Sequence, residues 1–278
     1  MATVSGNFGI TLAASMIVTA LVSGCNSVIP VKPLTEVRDS AVLDENNHRS
    51  SPIHPIGTPL PRQAYKPTGE KIPYVPQTNP YTTQAVTVPA EADAIYSAAN
   101  ARLQTGDLED AKTKYIALTE KYPTLSGPWV KLGSIAETRE EYFAAIEDYR
   151  KAISINRNNV NAYAALGLLQ RKLGYFSDAL NTYHDALAIW KDFPEAHLNL
   201  AILYDLYLND AEEAQKHYEA YSFLTGEKDE KVQKWLVEVR HRTGIEQSFI
   251  DIPPVEITEI QDAGPEDAVA AVRTGDAH

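Results

Sequence analysis

Residues 126–193 read SGPWVKLGSIAETREEYFAAIEDYRKAISINRNN and then VNAYAALGLLQRKLGYFSDALNTYHDALAIWKDF, two copies of one 34-residue unit. Leu132 and Gly133 recur as Leu166 and Gly167. Ala145, Tyr149 and Ala152 recur as Ala179, Tyr183 and Ala186, and Trp129 is matched by the aromatic Tyr163. A repeat of this length decides the architecture before any single motif does, because each unit buries its apolar face only by stacking on the next. Within the unit, Trp129, Leu132, Gly133 and Ala136 fall at helical spacing, and Ala145, Tyr149 and Ala152 do the same. The unit is therefore a pair of helices. Small residues at Gly133 and Ala145 let the two approach closely, and Leu132 and Tyr149 fill the space around the contact.

The pattern W-x2-L-G followed by A-x3-Y-x2-A resembles the tetratricopeptide repeat. The resemblance implies an all-α, right-handed α-solenoid of about four helix pairs, closed by a C-terminal capping helix and flanked by disordered segments. It specifies fold far more than function, since such repeats are scaffolds for many partners. The register extends both ways. Gly106, Ala111 and Tyr115 place a first repeat at 92–125, with Asp107 as N-cap of its second helix and Pro123 ending it. The quoted copies are 126–159 and 160–193. Pro194, His197, Leu200 and Ala201 begin a fourth at 194–228. Ala214 and Tyr218 follow Ala179 and Tyr183 by 35 residues, so one residue is inserted, most simply at the turn around Leu208, Asn209 and Asp210. A capping helix at 230–243 carries Val232, Trp235, Leu236 and Val239 on one face and ends at Gly244. The repeat domain thus spans 91–244.

Outside the repeats the chain changes character. Residues 8–22 form an apolar run of signal-peptide length, too short to cross a bilayer as a helix. It ends in Leu21, Val22, Ser23, Gly24 and Cys25. This resembles the lipobox of bacterial lipoproteins and implies a signal peptide at 1–24 and lipidation of Cys25. Residues 1–24 hold no Lys or Arg, which departs from the basic start of such signals. Asn26 after the cysteine, where Asp would favour retention at the inner membrane, implies the outer membrane. The expected location is the bacterial envelope, lipid-anchored and facing the periplasm. Cys25 is the sole cysteine, so no internal disulfide forms.

Residues 25–90 hold 11 of the chain's 17 prolines and no helical or strand period. They predict a disordered or polyproline linker, a tether of the folded domain. Residues 245–278 carry eight acidic side chains and one Arg and predict a disordered acidic tail, with 248–260 able to run as an extended strand along the repeats.

The formal charge of −12 leaves no basic footprint for nucleic acid. No Gly-rich phosphate loop, nucleophile elbow or H-E-x-x-H is present, so the sequence offers no catalytic site, cofactor or metal. His184 and His217 read as helix-surface residues. The expected function is that of a non-enzymatic adaptor that organises a cell-envelope complex through a protein partner. By the family's pattern its concave groove is lined by Val130, Ser134, Glu137, Asn161, Ala164, Leu168, Arg171, Lys172, Leu198, Ile202 and Asp205. Where chaperone-binding members have a Lys and Asn carboxylate clamp, this chain has Val130 and Ser134, Ala164 and Leu168, and Leu198 and Ile202, so an apolar peptide or helix is the expected occupant. The layout also resembles type IV pilotins and, around 203–219 and Trp235, repeat proteins encoded beside TonB/ExbB/ExbD systems. Two alternatives remain: a cytosolic co-chaperone-like adaptor, should the lipobox be accidental, and an envelope protein that binds or transforms a small ligand.

Overall fold

A computed structural model describes residues 58–84 and 87–254. The expectations for the signal peptide, Cys25, the first part of the linker and the tail beyond Pro254 lie outside the described residues. After a short α1 (Pro80–Thr83) come α2 (Ala90–Gln104) and α3 (Leu108–Lys121), then α4 (Gly127–Thr138) and α5 (Tyr142–Ile155). These are followed by α6 (Val160–Lys172) and α7 (Phe176–Ile189), α8 (Pro194–Leu203) and α9 (Ala211–Thr225), and finally α10 (Glu230–Thr243). Helices α2/α3, α4/α5, α6/α7 and α8/α9 pack as pairs, each second helix also meets the next first helix, and α10 closes the array on α9. First helices α4, α6 and α8 touch in succession and form one continuous ridge.

The repeated small and aromatic residues explain the pairing. Tyr115, Tyr149, Tyr183 and Tyr218 are at most 2% exposed and sit one per pair. A methyl group added to Gly133 would lie 2.6 Å from the Tyr149 ring, and one added to Gly167 would lie 2.7 Å from Tyr183. Real Cβ atoms do not approach that closely, so glycine is what lets each tyrosine lie flat on the facing helix. Ala111, Ala145, Ala179 and Ala214 are fully buried at the matching places.

The turn inside each pair needs one residue with positive φ. It is Gly106 (φ 80°), Glu140 (φ 61°), Gly174 (φ 82°) and Asn209 (φ 53°) in the four repeats. The inserted residue of repeat four is absorbed just before this point, where α8 widens into a π-helical turn at Tyr204–Leu208. The Asp107 carboxylate accepts the Asp110 N–H at 3.2 Å, and Gly244 ends α10 with φ 67°.

The proline-rich segment differs from expectation. Residues 58–84 run as an extended strap along the array. They contain a small antiparallel hairpin, β1 (Ala64–Tyr65) and β2 (Lys71–Ile72), paired Ala64 with Ile72 and Tyr65 with Lys71. Gln63 N–H donates to the Ile250 carbonyl at 3.0 Å. Tyr74 and Gln77 meet the α7–α8 loop, and Asn156 donates to Gln84 at 2.8 Å. Prolines limit helix in this segment to α1, which starts on Pro80, and suit an extended path elsewhere, and tyrosines supply the anchorage: Tyr65 bonds Asp251, Tyr74 bonds Asp192, and the Tyr81 hydroxyl lies against Gly127. The start of the tail is held too. Glu219, only 4% exposed, accepts from Ser248 Oγ at 2.9 Å and from Phe249 N–H at 2.7 Å, and Ile250 is buried.

Candidate functional site

The expected groove residues lie on the first-helix ridge at three levels of exposure. Val130, Ala164, Leu198 and Ile202 are half-buried and pack onto the core between pairs. Leu168 is 44% exposed and Leu206 68%. Ser134, Asn161 and Lys172 are open to solvent. The ridge is therefore less apolar than the residue types suggest, because its aliphatic members turn partly inward.

Its polar members form separate local pairs. The Tyr149 hydroxyl donates to Glu137 at 3.2 Å, and Lys172 Nζ stands 3.4 Å from the same carboxylate. Arg171 donates to Asn199 Oδ1 at 3.3 Å. The Tyr218 hydroxyl donates to Asp205 at 3.2 Å, and Arg242 of α10 pairs with Asp205. Glu137, Arg171 and Asp205 occupy one register position in successive repeats, so the ridge presents acid, base and acid in turn. Arg171 lies beside the Tyr183 hydroxyl, and Arg171 Nε and that hydroxyl are buried there without a well-aligned hydrogen bond.

One polar site escaped the sequence reading. His217 is not a helix-surface residue: His197 and His217 are both 0% exposed, with Nδ1 atoms 2.9 Å apart. The Lys191 carbonyl lies 2.8 Å from His197 Nε2 and can only accept, so His197 carries its proton on Nε2. Its Nδ1 then accepts from His217 Nδ1–H, which leaves the His217 Nε2 lone pair buried and unpartnered. Burial holds His197 down at about 4, and burial together with His197 holds His217 well below the imidazole range. A matched pair of aromatic and polar positions, His197 and His217 where repeat three has Tyr163 and Thr182, was the available signal. His184, half-buried, bonds Thr58 Oγ1 at 2.7 Å and the Tyr204 hydroxyl at 3.1 Å.

Among the described residues no group of three His, Cys, Asp or Glu side chains is placed to hold a metal, and no helix is long and apolar enough to cross a membrane.

Residues 138–174, from the end of α4 to just past α6, match the family model described as TPR repeat. A cell division cycle protein 16 homolog of Mus musculus is 22% identical over 139 residues, covering 46% of this chain and 22% of that protein. The peroxisomal targeting signal receptor of Kluyveromyces lactis is 32% identical over 92 residues, covering 32% of this chain and 16% of the receptor. The chain thus spans less than a quarter of the length of these relatives. Among solved structures, MamA from Desulfovibrio magneticus RS-1 is 17% identical with a TM-score of 0.48, covering 57% of this chain and 88% of MamA. A thermophilic TPR protein of Thermus thermophilus is 24% identical with a TM-score of 0.44, covering 54% and 82%. With helix pairs repeating every 34 residues around a buried tyrosine, and with the family match falling inside them, the array has the fold of a tetratricopeptide-repeat solenoid.

Proposed function

We propose that this protein is a non-enzymatic scaffold that holds a segment of a protein partner along the first-helix ridge. The observation that supports the reading is the ridge itself. Leu168 stands open on α6 one turn before Arg171 and Lys172, and Lys172 pairs with Glu137 of the preceding repeat. Such a surface suits an amphipathic helix or extended peptide with an apolar residue flanked by charges of both signs, a narrower occupant than the apolar one expected from residue types. Lipidation of Cys25 belongs to the same proposal and puts the scaffold in the bacterial envelope, facing the periplasm, with the outer membrane favoured. Its support is the sequence of residues 8–26 alone.

A photo-cross-linker placed at position 168 in cells tests the ridge. Adducts that vanish when Glu137 and Arg171 are both replaced by Ala are the expected result, and adducts insensitive to them remove the ridge from the proposal. Palmitate labelling tests the anchor separately: label that survives Cys25→Ala overturns lipidation.

A further inference from the structure

The α7–α8 loop grips the strap in a way that resembles a receptor holding a ligand. Asp192 is the centre, its side chain wholly buried. Its Oδ1 accepts the Tyr74 hydroxyl at 2.6 Å and Lys191 Nζ at 2.8 Å, and its Oδ2 accepts the Gln77 N–H at 2.7 Å. Trp190 Nε1–H donates to the Gln77 carbonyl at 2.8 Å. Both backbone groups of Gln77 are thus held by neighbouring loop residues. Lys191 also donates to the Tyr74 oxygen at 2.6 Å, and the Phe223 ring of α9 meets the Tyr74 ring edge-on at 4.8 Å. Burial pushes the Asp192 carboxyl up, but the Gln77 N–H, Lys191 and Tyr74 outweigh it and hold it below the usual carboxylate range.

The loop is built independently of what it grips. Trp190 stacks on Phe193 at 4.9 Å, and the Lys191 carbonyl is fixed by His197. The equivalent positions in the other inter-repeat loops hold Asn158 and Thr124 in place of Asp192, so this carboxylate is particular to the junction of repeats three and four. The strap contributes little apolar burial in return. Val75 is 83% exposed, and Pro76 and Gln77 are also exposed. The hold is polar and localised at a tyrosine and at the backbone three residues on, with proline between them to keep the path extended.

We propose that the α7–α8 loop and Phe223 form a binding site for an extended Tyr-X-Pro-X peptide, that residues 74–77 are its built-in occupant, and that a partner segment of the same chemistry exchanges with them. A buried carboxylate left without its donors is costly, so the site selects an occupant bringing both a phenolic O–H and a backbone N–H. It shares no residue with the first-helix ridge, and either proposal stands without the other.

The test uses the full chain and a fluorescein-labelled peptide of residues 71–79 (KIPYVPQTN). In the variant Tyr74→Ala/Gln77→Pro the internal occupant lacks the hydroxyl and the N–H. Fluorescence anisotropy is expected to show this variant binding the peptide at least about tenfold more tightly than wild type, whose site is filled. Adding Asp192→Asn, or giving the peptide Tyr74→Phe, is expected to weaken binding about tenfold, the scale of one charge-assisted hydrogen bond. The peptide substitution carries the same test should Asp192→Asn disturb folding. Equal affinity of variant and wild type, or indifference to the tyrosine hydroxyl, overturns the proposal.

Discussion

The buried His197–His217 pair makes acid sensitivity a local property of repeat four. His197 titrates at about 4 in the fold against about 6.5 in the unfolded chain. Its folded value is depressed, so between these limits the unfolded chain binds more protons and stability rises with pH. The contribution is intact above about pH 6.5 and is lost as pH falls toward 4. Between about pH 7 and pH 5 the linkage relation gives a loss of about 2 kcal/mol from His197 alone. His217, held lower still, adds to it. The groups around the pair are His184 of α7, Lys191 and Asp192 of the loop and Lys216 of α9. Asp148 opposes the effect: burial raises it to about 6, so its contribution to stability grows as pH falls. The absolute pH profile is therefore the wrong readout, and a difference is the right one. Repeat three supplies the control, since Tyr163 and Thr182 occupy the same register. His197→Tyr/His217→Thr transplants that pair and leaves Asp148 untouched. Urea denaturation followed by far-UV circular dichroism should show wild type losing at least about 2 kcal/mol more than the variant over this range. Parallel profiles for the two proteins would refute the assignment of the histidines as a neutral buried pair.

Other substitutions test the packing and the turns. Gly167→Ala drives a methyl into the buried Tyr183 ring and should cost about 1–3 kcal/mol, less about 1 kcal/mol of gained helix propensity. In urea denaturation the double variant with Tyr183→Leu should lose less than the two singles combined, and a stabilising Gly167→Ala would mean that propensity alone governs the site. Glu140 holds a left-handed conformation that glycine fills in two other repeats, so Glu140→Gly should raise stability by about 0.5–1 kcal/mol, read as a higher thermal midpoint, whereas Gly174→Glu should lower it. Tyr183→Phe removes a buried hydroxyl whose polar neighbour, Arg171, is not aligned for a well-formed hydrogen bond, and should change stability by less than about 0.5 kcal/mol, while Tyr149→Phe, which breaks a bond to Glu137, should cost about 1 kcal/mol. Denaturant titrations of the pair of variants distinguish the two.

The solenoid was legible because its information is repeated. Tyr149 and Tyr183, with Gly133 and Gly167 facing them, state the helix pairing twice, and the change from 34 to 35 residues at Ala214 marked the π-helical turn before Asn209. The strap was not legible, because its contacts are single and distant in sequence. Tyr74 meets Asp192, and Tyr65 meets Asp251, through side-chain hydrogen bonds that leave no period. Proline density reports only which backbone conformations are forbidden. The helices that carry the expected groove residues were legible, but not the exposure of each: Ala164 and Ile202 stand at the expected register, yet they pack partly against the core. The histidine pair was hidden for another reason, since each member alone resembles a surface residue and only their opposition across two helices buries both.

The strap runs counter to the array. Thr58 is bonded to His184 of α7, Gln63 and Tyr65 to Ile250 and Asp251 after α10, the middle to the loop before α8, and the end to Asn156 and the N-terminus of α4. A pull on the chain ahead of Thr58 therefore reaches the folded body at repeats three and four, through His184 and then Ile250, although that chain is joined covalently to the first. The load falls first on the Thr58–His184 bond, then on the Gln63–Ile250 bond and the Tyr65–Asp251 contact, next on the Asp192 grip and then on the Asn156–Gln84 bond. Only after these yield does it bear on α2. A tether attached on that side would tug on the C-terminal half of the solenoid, and the strap would serve as slack that is released in steps before the first repeat feels any force.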